Sequence, residues 1–262
     1  MRRMPMTAKE YLSLLRQGKT RWEVLRVSET DRHRRPEVSN SVLETWRIST
    51  ERIRVESEIS YQLLHVVAYV DSLDIPHELL VAAASRCDTD DKDSPRQASE
   101  LEVPQAIARL KEFYFLRLRQ TDNGDRRYEM HKLMQEATRY GLRVRGSVVI
   151  MIGNASALGA DNGPGDDEAY YCGRALKVVD GLFPLTEPAY WARCEEYMTH
   201  AIQVGEWAEA SGRETGTAAL LARVWGFLHD RGRWREKKPV DNRARGLWQN
   251  ALRESIPIRS AA

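Results

Sequence analysis

Apolar residues along this chain recur mostly every three or four positions, which is the spacing of an amphipathic helix. The pattern predicts helices at 7–17, 41–53, 60–73, 77–84, 104–116, 131–141, 168–184, 187–210, 217–232 and 234–252. Polar residues and prolines separate most of these segments, as expected at helix ends. The sequence therefore predicts a mainly helical protein.

One stretch departs from helical spacing. An Asn123-Gly124 pair lies between Leu118 on one side and Tyr128 and Met130 on the other. Asn-Gly between such residues is a strong signal for a β-hairpin. We expect strand here and nowhere else, so that helices, a hairpin and a further helix form a winged-helix arrangement. We also predict that the helices at 61–73 and 131–140 pack together through Leu64, Val67, Leu133 and Ala137.

Changes in composition indicate how the chain is divided. Residues 28–40 are polar and contain Pro36, whereas 144–165 are rich in Gly, Asn and Asp apart from the apolar run 148–152. Both have the composition of connecting segments. We predict an N-terminal helix and loop at 1–37, a winged-helix domain at 38–143, a flexible linker or insertion at 144–165, and tetratricopeptide-like helical repeats at 166–262.

The last two predicted helices are similar to a tetratricopeptide hairpin. Gly232 marks the turn, Trp234 follows it, and Ala244 is small enough for the two helices to approach each other. Trp225 and Lys237 occupy positions where such repeats usually carry small residues. The pattern indicates a degenerate α-hairpin, and two such pairs in tandem are typical of the start of an α-solenoid.

Charge, cysteine content and hydropathy narrow the class of protein. Charged residues make up 30% of the chain, but the net charge is only +2, so the charge alone does not call for a nucleic acid or an anionic membrane. The three cysteines are widely spaced and form no CxxC pair. No apolar run approaches the roughly 20 residues of a membrane span. We expect a soluble cytoplasmic protein without disulfides or membrane partners.

Motifs for catalysis and for metal or nucleotide binding are missing from the sequence. The six histidines form neither HxxxH nor HExxH, and there is no GxSxG and no GxxxxGK[ST] in the 262 residues. The carboxylates on predicted helices have no partnered nucleophile or base. We therefore expect no catalytic residues, no metal site, no cofactor and no enzymatic activity.

A resemblance to fungal NB-ARC (STAND-class) nucleotide-switch proteins with tetratricopeptide repeats is carried by residues 41–49, 61–80, 128–142, 173–184, 190–209 and 231–241. These segments match the region that follows the ATPase core in that family. There the winged helix ends in a Met-His motif at the start of a helix, and the histidine reaches the β-phosphate of bound ADP in the closed state. The matching residues are Met130 and His131, whereas Lys132 stands where many members have Asp.

The resemblance implies a non-catalytic regulatory and protein-interaction fragment that lacks the ATPase core. Residues 1–37 would then be the remnant of a preceding helical domain, and a protein partner would bind through the helical repeats. ADP would bind only if a separate polypeptide supplied the core, so that the nucleotide-sensing role of Met130 and His131 is a relic in this chain.

Two alternatives remain open at the level of the sequence. His131 is also suited to cap the helix that follows the hairpin, without any nucleotide. The fold could instead be a winged-helix nucleic-acid-binding protein, because four arginines on the hairpin are suited to phosphate contacts: Arg117, Arg119, Arg126 and Arg127. The acidic segment 88–93 and the near-neutral net charge make nucleic acid the weaker expectation.

Overall fold

The computed structural model describes residues 42–85, 102–120, 124–152 and 168–255, with the backbone alone at 42–45, 47, 144–152 and 254–255. Several predicted segments lie outside the described residues: the N-terminal part at 1–37 with its helix at 7–17, the polar connection at 28–40 and the acidic loop that contains 88–93.

The described chain is mainly helical and carries one small antiparallel sheet, which confirms the predicted fold class at this level. Its α-helices are α1 (Val42–Glu56), α2 (Glu58–Val67), α3 (His77–Ala84), α4 (Glu102–Glu112), α5 (Lys132–Ile152), α6 (Glu168–Leu182), α7 (Trp191–Gly205), α8 (Ala208–Ser211), α9 (Glu214–Asp230) and α10 (Trp234–Ser255). Backbone contacts place Val42–Val55 in one compact unit and the residues from Glu56 onward in a second, a division that differs from the predicted domain boundaries.

The unit that begins at Glu56 has two halves, the first up to the end of α5 and the second at 168–255. Helix α2 forms the centre of the first half. The Ser57 hydroxyl accepts a hydrogen bond from the Ser60 backbone N–H at 3.2 Å and so caps the start of the helix. The helix ends at Val67, earlier than predicted, and the chain then turns and passes through a left-handed conformation at Asp74 (φ 49°). The helix is buried almost throughout, as the broad apolar face of its sequence predicts.

Helix α5 packs against α2, as predicted, and also caps it. Leu64, Val67 and Ala137 are buried, whereas Leu133 is only half-buried. Gln135 is the more important contact, because its Nε2 donates to the carbonyls of Val67 and Val70, each at 3.0 Å. The Val67 carbonyl ends α2 and also accepts from the Val70 N–H at 3.4 Å, whereas the Val70 carbonyl lies beyond the helix.

The sheet has three strands rather than the two that the sequence predicts. β2 (Arg117–Gln120) and β3 (Arg126–Glu129) form the predicted antiparallel hairpin, with Gly124 in the loop at φ +81°. β1 (Ile75–Pro76) pairs with the other side of β3, where Ile75 lies opposite Tyr128. The expectation that strand occurs only in the hairpin was wrong, because a two-residue strand has no periodicity and forms only when its partner is in place.

Helix α5 extends into the segment 144–165 that was predicted to be a linker. It continues to Ile152, so that the backbone of 144–152 is helical, and residues 153–165 lie outside the described part. No proline interrupts the stretch after Gly141, and the apolar run 148–152 extends the helix instead of ending it. The first nine residues of the predicted linker therefore have helical backbone, continuous with α5.

The second half consists of helices that pack in sequence order, α6 against α7, α7 against α9 and α9 against α10. The α9–α10 turn occurs at Gly232, as predicted, with φ +67°. The Arg233 N–H donates to the Leu228 carbonyl at 2.9 Å and the Gly232 N–H to His229 at 3.0 Å, which is the hydrogen-bonding pattern of a Schellman motif. Ala244 is buried between the helices, in agreement with its expected role.

Candidate functional site

Met130 and His131, the residues that the resemblance indicates, lie between β3 and α5. The Met130 side chain is 2% exposed, and its backbone N–H donates to the Ser72 carbonyl at 2.9 Å. The side chain of His131 is exposed. The buried methionine thus fixes the point at which the chain leaves the sheet, and the histidine next to it remains accessible.

His131 caps α5. Its Nδ1 accepts a hydrogen bond from the Leu133 N–H at 3.2 Å, and its carbonyl accepts from Met134 at 2.8 Å and Gln135 at 3.1 Å. These amides belong to the first helical turn, which has no acceptors of its own. Because Nδ1 acts as an acceptor, the neutral ring carries its hydrogen on Nε2. The exposed ring therefore combines a capping role with an N–H donor for an external anion.

The arginines of the hairpin are mostly paired with carboxylates. The pairs are Arg117 with Glu129 at 3.6 Å, Arg119 with Asp74 at 3.3 Å and Glu129 at 3.8 Å, and Arg127 with Glu196 at 2.6 Å. Arg126 is exposed and makes no ion pair among the described residues. A nucleic acid on this surface would therefore compete with carboxylates at three of the four arginines.

Polar contacts connect the sheet and α3 to α7. Arg127 on β3 pairs with Glu196, and both side chains are largely shielded from solvent. Glu78 on α3 accepts hydrogen bonds from Arg193 at 2.5 Å and from the Tyr197 hydroxyl at 3.0 Å. Burial raises the pKa of the Tyr197 phenol well above its ordinary value, and the hydrogen bond to Glu78 adds to this. Three residues of α7 thus contact side chains of β3 and α3.

Arg174 makes a second connection between the two halves, and sequence reasoning missed it. The side chain is 6% exposed and donates to the Ala83 carbonyl at 2.8 Å, the Ser85 carbonyl at 3.2 Å and Gln62 at 3.2 Å. Its carbonyl partners lie at the end of α3, where helix carbonyls lack partners. The helix also carries Glu168, Lys177 and Asp180, so its sequence does not distinguish the buried arginine from these charged residues.

A cation–π cluster connects α5 to the short helix α8. The Arg139 guanidinium lies 4.7 Å from the centre of the Trp207 ring and 6.0 Å from that of Tyr69, and it donates to the Ala68 carbonyl. Arg143 lies 5.6 Å from the same indole and forms a two-oxygen contact with Glu168 at 2.7 and 2.9 Å. Sequence reasoning did not identify these residues, because they come from distant parts of the chain.

His200 on α7 is fully buried, and neither ring nitrogen makes a hydrogen bond of good geometry. Burial lowers the pKa of this imidazole, and Arg127 acts in the same direction, whereas Asp71 and the Asp74 backbone oppose the shift. Its position among Tyr197, Ala201 and Val204 at helical spacing places this histidine on the buried face of α7.

Side chains for metal binding or nucleophilic chemistry do not converge in the described part of the chain. No group of three or more His, Cys, Asp or Glu residues there could hold a metal ion. Cys172 and Cys194 are buried free thiols, and burial raises the pKa of Cys172 to about 12, which disfavours the reactive thiolate. Among the described helices none is long and apolar enough to cross a membrane.

Comparisons with protein families, with characterised proteins and with solved structures found no match to this chain.

Proposed function

We propose that this chain is a non-catalytic regulatory and protein-interaction module of a STAND-type nucleotide switch, in which a winged-helix domain controls a tetratricopeptide-like scaffold. The observation that carries the proposal is the set of contacts between the two halves. β3, which directly precedes His131, is joined to α7 through Arg127 and Glu196, and α3 is joined to α7 through Glu78. A displacement at the end of β3 would therefore alter the first helices of the scaffold.

His131 would serve as the contact to nucleotide. Its exposed Nε2–H is suited to donate to a phosphate oxygen, and it lies at the N-terminus of α5, where the helix dipole favours an anion. Lys132 adds a positive charge next to it. We propose that an ATPase core outside these 262 residues holds the rest of the ADP.

The isolated chain should show no ADP or ATP binding tighter than about millimolar by calorimetry, and no phosphate release. Because its Nδ1 accepts from Leu133, His131 can donate one charge-assisted hydrogen bond of about 1.5–3 kcal/mol, whereas micromolar affinity requires about 8 kcal/mol. Micromolar ADP binding by this chain alone would contradict the proposal.

The same titration with an added STAND-family ATPase core tests the histidine directly. His131→Ala should weaken ADP binding by about tenfold or more, because a charge-assisted contact is lost. Lys132→Ala is the matched control, since Lys132 is exposed and adjacent, and it should have a smaller effect. Equal effects of the two substitutions would assign the affinity to general positive charge and reject the role of His131.

The nucleic-acid alternative has less support than the protein-interaction proposal. Three of the four hairpin arginines already pair with carboxylates, so that phosphate contacts would gain little net free energy there. Retention on duplex DNA that falls steeply with salt would favour the alternative.

A further inference from the structure

The turn between α9 and α10 concentrates positive charge. Residues 231–238 contain five Lys or Arg side chains and one carboxylate, Glu236. Arg233 is fully engaged, because it contacts Glu195 of α7 at 2.7 Å and Glu236 at 2.5 and 2.8 Å. Arg231 lies 4.9 Å from the centre of the Trp191 ring. The turn thus carries more positive charge than its own carboxylates neutralise.

Aromatic rings of α9 and α10 pack together at this turn. Trp225 and His229 on α9 are stacked with ring centres 5.4 Å apart and an interplanar angle of 3°, and the His229 ring meets Trp234 edge-on at 5.1 Å. The Lys237 ammonium lies 4.2 Å from the Trp225 ring centre, 4.7 Å from that of Trp234 and 3.0 Å from His229 Nδ1. Trp225 and Lys237, the two departures from the repeat pattern, therefore contact each other and build this cluster.

Trp234 and its neighbours remain available to a partner. The Trp234 side chain is 61% exposed although its ring is held by Lys237 and His229. Arg235 and Lys238 are exposed, and neither makes an ion pair within the described ranges. Trp and Arg dominate the binding energy of protein interfaces, and a ring held in place before binding loses little conformational entropy.

The geometry points to this surface, formed by Arg231, Trp234, Arg235 and Lys238, as a docking site for an acidic protein segment that places an apolar side chain against Trp234. The inference rests on the proposed protein-interaction function and specifies its partner class. Charge complementarity favours carboxylates, and Arg233 already binds two carboxylates at the same turn. Nucleic acid fits less well, because Lys237 covers one face of the Trp234 ring and the net charge of the chain is only +2.

The test uses the full chain and fluorescence anisotropy of a short labelled peptide that repeats Glu-Glu-Leu. We expect binding that weakens as NaCl rises from about 50 mM to about 500 mM, since screening reduces contacts between exposed charges. Gln-Gln-Leu and Lys-Lys-Leu peptides should not bind. Trp234→Ala should weaken binding by about tenfold or more, which is typical of an interface anchor.

Matched variants locate the site. Trp248→Ala alters another exposed tryptophan of the same helix and should leave the affinity unchanged. Arg235→Glu with Lys238→Glu changes only exposed side chains, so that loss of peptide binding with an unchanged melting temperature would support the site even if Trp234→Ala folds poorly.

Three results would overturn the inference: no binding of the acidic peptide, equal loss in Trp248→Ala, or tighter binding of an oligothymidylate of the same length. None of these measurements uses ADP. Failure of the peptide assay would therefore reject the docking surface, whereas failure of the His131→Ala titration would reject the nucleotide contact.

Discussion

At the scale of single residues, the buried basic side chains Arg174 and His200 differ in their hydrogen-bond partners. Arg174 has no carboxylate among its recorded partners, yet four neutral oxygens accept from it, two of them carbonyls at the negative end of the α3 dipole. His200 has no such partners. Protein oxygens thus take the place of water around the Arg174 guanidinium, whereas burial lowers the pKa of His200 and favours its neutral form.

The lowered pKa of His200 predicts a dependence of stability on pH. Below the ordinary histidine pKa of about 6.5, the unfolded chain binds a proton that the folded chain excludes, so the free energy of unfolding falls as pH decreases. One proton gives a limiting slope of about 1.4 kcal/mol per pH unit. Urea unfolding between about pH 5.5 and 7.5 measures it.

His200→Phe should reduce this slope by up to one proton while keeping an aromatic ring in the same position. Trp248→Phe changes an exposed aromatic ring that does not titrate, serves as control and should keep the slope. If His200→Phe unfolds with the same pH dependence as the wild type, the buried histidine is not the group responsible.

At the scale of secondary-structure elements, helix ends in this fold are capped by side chains of other helices. Gln135 and Arg139, one turn apart on α5, donate to the carbonyls of Val67, Ala68 and Val70 after α2. Arg174 of α6 does the same for the end of α3. Each cap satisfies buried carbonyls that would otherwise be costly to leave unpaired. Packing and helix termination are thus determined together.

Gln135→Met should lower the free energy of unfolding by about 1–3 kcal/mol, because it keeps the side-chain volume but removes the amide donor from the Val70 carbonyl and leaves the Val67 carbonyl only the Val70 N–H at 3.4 Å. Lys132→Ala, an exposed substitution on the same helix, should change it by less than about 0.5 kcal/mol. Chemical denaturation of both variants makes the comparison. A neutral Gln135→Met would mean that water replaces the amide at these carbonyls.

The parts of the fold that follow from local spacing were predictable, and those that require distant partners were not. The hairpin around Gly124 and the turn at Gly232 both carry their signal in adjacent residues, and both were predicted. β1 exists only because β3 lies beside it, and Gln135 is buried only because the carbonyls of α2 are there to accept from it. Within the candidate site, Met130 and His131 could be named from the resemblance of their motif. The contacts that connect β3 and α3 to α7 could not, because they depend on residues far apart in the chain.

At the scale of the whole molecule, the sheet, α2 and the scaffold helices belong to one compact unit from Glu56 onward. Arg127, Glu78 and Arg174 each cross between its two halves, and α6 contacts both α2 and α3. Such a unit is expected to unfold as a whole, because opening either half would expose the buried contacts of the other. Coupling between the halves is also what a regulatory role would require.

Two optical probes can test that coupling. The seven tryptophans lie at 22, 46, 191, 207, 225, 234 and 248, so a variant with Trp22→Phe and Trp46→Phe keeps tryptophan only in the second half. In this background, Leu64→Ala in α2 should cost about 2–5 kcal/mol by leaving a cavity. We expect the melting temperature to fall by several degrees and by the same amount in tryptophan fluorescence and in far-ultraviolet circular dichroism.

Val81→Ala, at an exposed apolar position of α3, should shift the melting temperature appreciably by neither probe. If Leu64→Ala instead produced an early step in circular dichroism and left the tryptophan transition in place, the two halves would be independent domains, as the predicted boundary at 144–165 implies, and the proposed transmission from His131 to the scaffold would lose its physical basis.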